Sequence, residues 1–330
     1  MNASDRASTP DPGDVRLALM LACRAPSVHN TQPWRWVFDG ARLQLHSDTD
    51  RLLRSADPLG RQLVISCGAV LDHARLAFMS MGWFAEATRF PDPNVPGHLA
   101  TLEFRPWPGA LNTTAARIRA IRRRRTDRLP MLAPPGWLDV LATVRELARP
   151  HHVSVDEIAE SNRPRLAAAA EHAAALRRYD MPYQTELHWW TGHSDTREGV
   201  PVAALVSDAE AARVDVGRPF PSAPYSVRRS DLEDKARLVV LSTLGETPAQ
   251  WLHTGEALSE LLLECTARGL ATCALTHITE LATSRSVITD LIPQPDLPQV
   301  VVRIGTAPED TDPSPTPRRP LDEVLEIRAA

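Results

Sequence analysis

Two short segments of this 330-residue chain carry side chains whose types and spacing suit ligand binding. Residues 25–36 combine a run of polar side chains with aromatic residues, and residues 122–128 hold five arginines, a threonine and an aspartate. Several guanidinium groups around one hydroxyl can bind a phosphate. The alternatives are a polar loop that only caps backbone groups, and a basic turn that is solvated or binds nucleic acid.

Helix and strand patterns flank the first segment and position it. Apolar residues at helical spacing predict a helix over residues 14–24, which Pro26 ends because the residue before a proline avoids the α region. Alternating aromatic and other residues predict a strand over residues 34–38, followed by a hairpin turn at Asp39 and Gly40. The polar side chains therefore lie in a helix-to-strand loop.

The chain also resembles itself. Residues 68–82 and 255–269 each run from glycine to glycine over 14 steps, and each predicts an apolar helix with a glycine suited to its C-terminal end. Two predicted strands follow each helix, at residues 85–90 and 99–104 in the first copy and at 271–276 and 300–304 in the second. A further buried strand, residues 237–243, is parallel in role to residues 34–38. Chance similarity of two buried helices is the alternative to duplication.

These patterns predict an α+β fold made of two related halves. We expect a disordered N-terminus over residues 1–13, a first half over 14–110 and a second half over 115–330. Residues 179–234 form a long insertion in the second half, with little periodicity. Because it contains aromatic and apolar residues, we expect an ordered flap, which could act as a lid.

Composition limits the function classes. The net charge of −4 and the absence of aromatic residues around the single arginine cluster argue against nucleic acid as a partner. Charged residues within 63–81 argue against a membrane span. Four cysteines without CxxC or metal-like spacing look like buried thiols of a soluble, cytoplasmic protein, and we expect no metal site. The dinucleotide-binding, nucleophile-elbow and zinc-protease motifs are missing.

A family resemblance sharpens these expectations. Residues 25–34 follow the form A-P-S-x-x-N-x-Q-P-W, which resembles the loop of flavin-dependent nitroreductases. Across the whole chain the closer resemblance is to the Acg-type nitroreductase-like proteins of actinobacteria, with further matches at residues 122–130, 269–280 and 315–324. This resemblance implies FMN as the cofactor and the nitroreductase fold, here duplicated as an intramolecular pseudo-dimer.

The resemblance also assigns roles to residues. The loop along the flavin ring comprises Pro26, Ser27, His29, Asn30, Gln32, Pro33, Trp34, Arg35 and Trp36. A run similar to the family's R-R-S-x-R places Arg124, Thr126 and Arg128 at the phosphate, with a second basic element at Arg318 and Arg319. Thr276 and His277 match the stretch that faces flavin N5, although His277 could instead be an ordinary core histidine.

The first half has no counterpart of the arginine run, so the resemblance predicts one FMN per chain, in a monomer. The flavin itself would carry the chemistry, so we expect no catalytic side chain. NAD(P)H would act as a transient reductant, and a small nitro compound or quinone as the electron acceptor. The alternatives are an FMN storage or sequestration protein with little turnover, because the lid covers the flavin, and an interaction protein that uses the fold without flavin.

Overall fold

The computed structural model describes residues 9–107, 109, 114–192, 197–223, 225–308 and 316–328. Most of the predicted N-terminal segment, some insertion residues and the junction around residue 110 lie outside this part. The helices in it are α1 (Pro12–Ala22), α2 (Arg61–Ser80), α3 (Ala115–Arg123), α4 (Trp137–Ala148), α5 (Arg163–Arg177), α6 (Met181–Trp189), α7 (Asp208–Ala211), α8 (Pro248–Ala267), α9 (Ala282–Thr289) and α10 (Leu321–Val324).

A five-stranded sheet belongs mostly to the first half. Its strands are β1 (Trp34–Phe38), β2 (Leu43–Ser47), β3 (Trp83–Arg89), β4 (His98–Pro106) and β9 (Leu325–Ile327). The order is β3-β4-β2-β1-β9, and β1 and β2 form the predicted antiparallel hairpin. The sequence did not predict β9, which pairs with β1 in parallel, so the C-terminus of the second half completes the sheet of the first.

A four-stranded sheet lies within the predicted second half. Its strands are β5 (Ser154–Glu157), β6 (Arg237–Thr243), β7 (Ala271–Leu275) and β8 (Leu297–Gly305), in the order β5-β6-β8-β7. Here the structure differs from the sequence prediction. β6 directly precedes the long helix α8, as β2 precedes α2, whereas the prediction matched it with β1; the short strand β5 comes before β6.

The two long helices α2 and α8 cross where glycine faces glycine. A Cβ on Gly255 would lie 2.0 Å from the Ile65 carbonyl oxygen, and one on Gly68 would lie 2.0 Å from the Leu252 carbonyl oxygen. The contacts are reciprocal, since each oxygen lies three residues before the other helix's glycine. Only glycine allows this approach of two backbones. The crossing joins the two halves through one continuous hydrophobic core.

Other predicted boundaries shift slightly. Helix α1 begins at Pro12, capped by the Asp11 side chain, so it includes two residues of the predicted N-terminal segment. The insertion contains α6 and α7, and α7 begins with a capping box between Ser207 and Glu210. Within the described ranges, α2 is the helix long and apolar enough to span a membrane, and 83% of the window that qualifies is buried inside the molecule.

Candidate functional site

A cavity of ≈ 1090 Å³ lies between the loop before β1, the α2–α8 pair, α5 and the insertion. Both halves and the insertion therefore contribute to its wall. Nine of the sixteen predicted cofactor residues line it: Pro26, Ser27, His29, Asn30, Arg124, Thr126, Arg128, Thr276 and Arg318.

The loop that forms one wall is held in an unusual backbone conformation. His29, Asn30 and Gln32 have φ angles of 47°, 57° and 52°, in the left-handed region that non-glycine residues rarely adopt. Such residues cost on the order of 1–3 kcal/mol each and persist where surrounding contacts fix them. The Ser27 hydroxyl accepts a hydrogen bond from the backbone N–H of Gln32 at 2.9 Å. Strained backbone therefore forms this wall of the cavity, and the hydrogen bond helps to hold it in place.

His29 is a neutral, buried ring in this wall. It is 7% exposed, and neither ring nitrogen has a hydrogen-bond partner among the described residues. Burial, assisted by Arg218 and Arg128, lowers the pKa of His29 well below its usual value. The ring packs edge-on against Phe220 of the insertion, with the ring centroids 5.6 Å apart.

The amides of Asn30 and Gln32 tie three segments together. Asn30 Nδ2 donates to the Gly199 carbonyl oxygen of the insertion at 3.0 Å. Gln32 Oε1 accepts from the Arg319 amide of the C-terminal segment at 2.9 Å. These side chains therefore fix the insertion and the C-terminal segment against the loop.

Arg124 is a buried arginine of the cavity wall. It is 9% exposed, its Nε has no hydrogen-bond partner, and no carboxylate pairs with its guanidinium among the described residues. Burial, and then Arg24, lower the pKa of Arg124 to about 10. Burial of an unpaired charge is unfavourable, so this end of the cavity favours an anion.

Two further arginines of the cavity wall add positive charge to it. Arg318 Nε donates to the Cys23 carbonyl oxygen at the end of α1 at 3.0 Å, and burial, then Arg124 and Arg24, lower its pKa to about 9. Arg128 donates to the Ala204 carbonyl oxygen at 3.1 Å, and burial lowers its pKa. Neither has a carboxylate partner within the described residues.

Seven predicted residues do not reach the cavity. Side-chain alternation along β1 turns two tryptophans into the core and Arg35 to solvent, and Arg319 pairs with Asp48 at 3.2 Å. His277 borders a neighbouring cavity of ≈ 440 Å³, where burial and Arg218 lower its pKa to about 3. The seven are Gln32, Pro33, Trp34, Arg35, Trp36, His277 and Arg319.

The structure adds a polar network that the sequence did not reveal. The Thr276 hydroxyl donates to Gln62 Oε1 at 2.5 Å, and Gln62 Nε2 donates to Glu280 at 3.2 Å. Glu280 pairs at 3.0 Å with Arg218 of the insertion, whose guanidinium also donates to the Tyr183 hydroxyl at 2.8 Å. A buried ion pair therefore joins the insertion to the cavity floor.

Helix α5 forms another part of the wall that the sequence did not reveal. It contributes Arg163 and several alanines, including Ala167 and Ala170. The alanine-rich run over residues 167–175 was the available signal, because small residues on one helix face leave room for a ligand. Arg163 is paired with Asp234 at 2.7 Å, so it adds no unpaired charge.

Known proteins that resemble the chain establish its class. The chain is 47% identical over 317 residues to "Putative NAD(P)H nitroreductase acg" of Mycobacterium tuberculosis, a match that covers 96% of both proteins. It is 38% identical over 323 residues to another protein of that organism named as a nitroreductase of the same kind, covering 96% of this chain and 92% of the relative. The chain belongs to the Acg-type nitroreductase-like family.

Solved structures give weaker likenesses. The FMN- and NADPH-dependent nitroreductase NfnB of sphigopyxis sp. strain HMH has a TM-score of 0.43 at 18% identity, covering 65% of this chain and 99% of that one. The FMN-dependent nitroreductase NfnB of Mycobacterium smegmatis, in complex with NADPH, has a TM-score of 0.39 at 19% identity, covering 65% of this chain and 98% of that one. No family model matches the chain.

Proposed function

We propose that this chain binds FMN in the cavity and uses it for NAD(P)H-dependent reduction of a small nitro compound or quinone. The observation that carries the proposal is the buried Arg124, which has no anionic partner within the described residues, next to Arg318 and Arg128. A phosphate with nearly two negative charges would supply that partner. The relatives bear the name "Putative NAD(P)H nitroreductase", which agrees with this chemistry.

The cavity residues fit such a cofactor in type and position. Arg124, Arg128 and Arg318 would hold the phosphate, with the Thr126 hydroxyl as a further donor. The loop around His29 would flank the ring. When bound, FMN supplies the hydride and electron chemistry. The protein orients the ring and restricts access, and neutral His29 adds no charge beside it.

The proposal includes a duplicated architecture with a single site, because the first half has no counterpart of the arginine run. Apart from β9, the two sheets have corresponding strand orders, and α2 and α8 cross reciprocally at the eighth residue of each helix. One chain would then reproduce a two-subunit assembly, act as a monomer and hold one FMN. The arginines would come from the second half and the ring wall from the first.

A second candidate function is FMN sequestration with little turnover. The observation that favours it is the insertion, which contributes Phe220 and Arg218 to the cavity wall and is anchored by the buried Arg218–Glu280 pair. A lid held in this way would block stacking of a second substrate on the ring.

Two measurements test the proposal. The purified protein should be yellow or should take up added FMN, and a colourless protein that binds no FMN would refute both functions. Anaerobic mixing of the FMN-loaded protein with NADH or NADPH should bleach the flavin absorbance. If only dithionite bleaches it, sequestration replaces turnover as the function.

A further inference from the structure

A second buried polar cluster lies between α2 and α8, where the second half would have its own copy of the cavity. His253 and Glu256 are the sixth and ninth residues of α8, and Ser66 and Ala69 hold the same places in α2 and line the cavity. The turn Arg149–His151 between α4 and β5 likewise matches the turn Val28–Asn30 between α1 and β1. A charged cluster occupies this corresponding position.

Glu256 is the centre of the cluster and joins the two halves. It is fully buried, and its two carboxylate oxygens accept from Arg89 of β3 at 2.8 and 2.7 Å. Arg75 of α2 lies 3.5 Å from the same carboxylate. His151 and His253 point nitrogens at Glu256 Oε2 from 3.9 and 3.5 Å, which is too far for a hydrogen bond in the first case and at the limit in the second.

Asp72 makes a second buried link between the halves. It lies on α2, is 3% exposed and accepts a hydrogen bond of 2.6 Å from the Ser259 hydroxyl of α8. Glu260 of α8 adds another carboxylate, 3.8 Å from His151 Nε2 and 3.7 Å from Arg117 of α3. Asp72 therefore shares a buried site with other acids and has one hydroxyl donor.

The charges that face one another across this cluster come from five elements. They are Asp72 and Arg75 of α2, Arg89 of β3, Arg117 of α3, His151 of the turn before β5, and His253, Glu256 and Glu260 of α8. The three arginines pair with Glu256 and Glu260, and within the described residues none of them pairs with Asp72. The protonation of Asp72 and His151 therefore decides which charges in the cluster remain unpaired.

We propose that this cluster is a proton-sensitive junction between the two halves, which holds them most firmly when Asp72 is protonated and His151 is charged. Raising the pH then places a negative charge on buried Asp72, for which the described residues supply the Ser259 hydroxyl and no ion-pair partner. It also removes the positive charge of His151 beside Glu256 and Glu260. Because the same two helices supply Gln62, Ser66 and Leu258 to the cavity wall, a weaker junction also loosens the ligand site.

The directions of titration agree with this geometry. Burial, and then Glu260, raise the pKa of Asp72 to about 7, and the neighbouring carboxylates raise the pKa of His151 despite the opposing effect of burial. For Asp72, whose unfolded pKa is near 3.8, stability falls as pH rises from about 4 to about 7 and then levels off. For His151, stability falls as pH rises above about 6.5. Burial lowers the pKa of His253, so this side chain becomes charged only when the pH is lowered.

A metal centre is the competing interpretation of part of this cluster. One atom each of His151, His253 and Glu256 lie within 4.8 Å of one another. Both oxygens of Glu256 already accept from Arg89, and Arg75 adds positive charge, so the site favours ion pairing over a divalent cation.

The test compares Asp72→Asn with the wild type over pH 5–8 by thermal unfolding of the full-length protein. Asparagine keeps the shape and cannot ionise, so the variant should match the wild type near pH 5 and unfold roughly 3 °C higher, or more, at pH 8. Glu86→Gln, at an exposed acid of β3, is the control and should follow the wild type. A difference between Asp72→Asn and the wild type that does not grow with pH would overturn the proposal.

His151→Gln provides an independent second variant. It should destabilise the protein more at pH 6 than at pH 8.5, because the charge it removes is present mainly at the lower pH. A Tm that Zn²⁺ raises in the wild type but not in His253→Ala would identify a metal centre and refute the ion-pair junction.

Release of bound FMN gives a functional readout, which rests on the proposed function. FMN should dissociate severalfold faster from the wild type at pH 8 than at pH 6, with a smaller change in Asp72→Asn. Equal release in the two proteins would disprove the coupling to the cavity. The thermal experiment needs no flavin, so a protein that binds no FMN would still test the junction.

Discussion

At the scale of single residues, burial distinguishes arginines that the sequence makes look alike. The arginine run extends over residues 122–128, but Arg122 and Arg123 are exposed, whereas Arg124 is buried at the end of α3. The sequence located the cluster, and the family resemblance selected Arg124 within it. Its burial could not be predicted, because the end of a helix decides which side chain turns inward. The same limit applies to Trp34, the last residue of the motif, and to Trp36 just after it, since both side chains are buried in the core.

Arg124→Met tests the phosphate site at this scale. Loss of one charge-assisted contact should weaken FMN binding by about 1.5–3 kcal/mol, roughly tenfold or more in Kd, measured by flavin fluorescence titration. The flavin-free variant should be as stable as the wild type or more so, because an unpaired buried charge has been removed.

Arg123→Met is the matched control, since Arg123 is exposed and adjacent. It should leave FMN affinity unchanged. Equal loss of affinity in the two variants would indicate a general effect of positive charge and would reject a specific role for Arg124.

At the scale of elements, the glycine-to-glycine repeat predicted the two long helices and the strands that follow them. It could not show that the two glycines face each other, because helix crossing depends on tertiary packing. Strand β5 was missed because four residues give almost no periodic pattern, and β9 because a three-residue strand depends on β1 for its hydrogen bonds.

Gly255→Ala tests the helix crossing. The new methyl would meet the Ile65 carbonyl oxygen at 2.0 Å and Gly68 Cα at 2.7 Å, and backbone atoms cannot rotate away. The free energy of unfolding from denaturant titration should fall by about 3 kcal/mol or more. Gly136→Ala, with φ 59° and no atom of the described residues within 4 Å of the new Cβ, is the control and should cost about 1–2 kcal/mol. A Gly255→Ala loss no greater than that of the control would mean that the helices separate easily.

At the scale of the whole molecule, the cavity is assembled from segments far apart in the chain. The motif loop could be recognised from sequence because its ten positions are contiguous. Gln62, Phe220 and the α5 alanines could not, since each becomes a cavity residue only when two halves and an insertion meet. The hydrogen bonds from the side-chain amides of Asn30 and Gln32 to the insertion and the C-terminal segment likewise depend on that assembly.

Phe220→Ala tests whether the insertion limits access to the flavin. Phe220 packs against His29, and the guanidinium of Arg128 lies 4.9 Å from its ring centroid, so truncation removes apolar contact between the insertion and the opposite wall. Arg124 and Arg318 stay in place, so FMN should still bind, but anaerobic bleaching by NADPH and FMN release should both accelerate, as followed by stopped-flow absorbance. Tyr225→Ala, at a fully exposed ring of the same insertion, should leave both rates unchanged. If Phe220→Ala leaves them unchanged as well, the insertion does not control entry, and any failure of NADPH to reduce the wild-type flavin must have its cause in the ring environment.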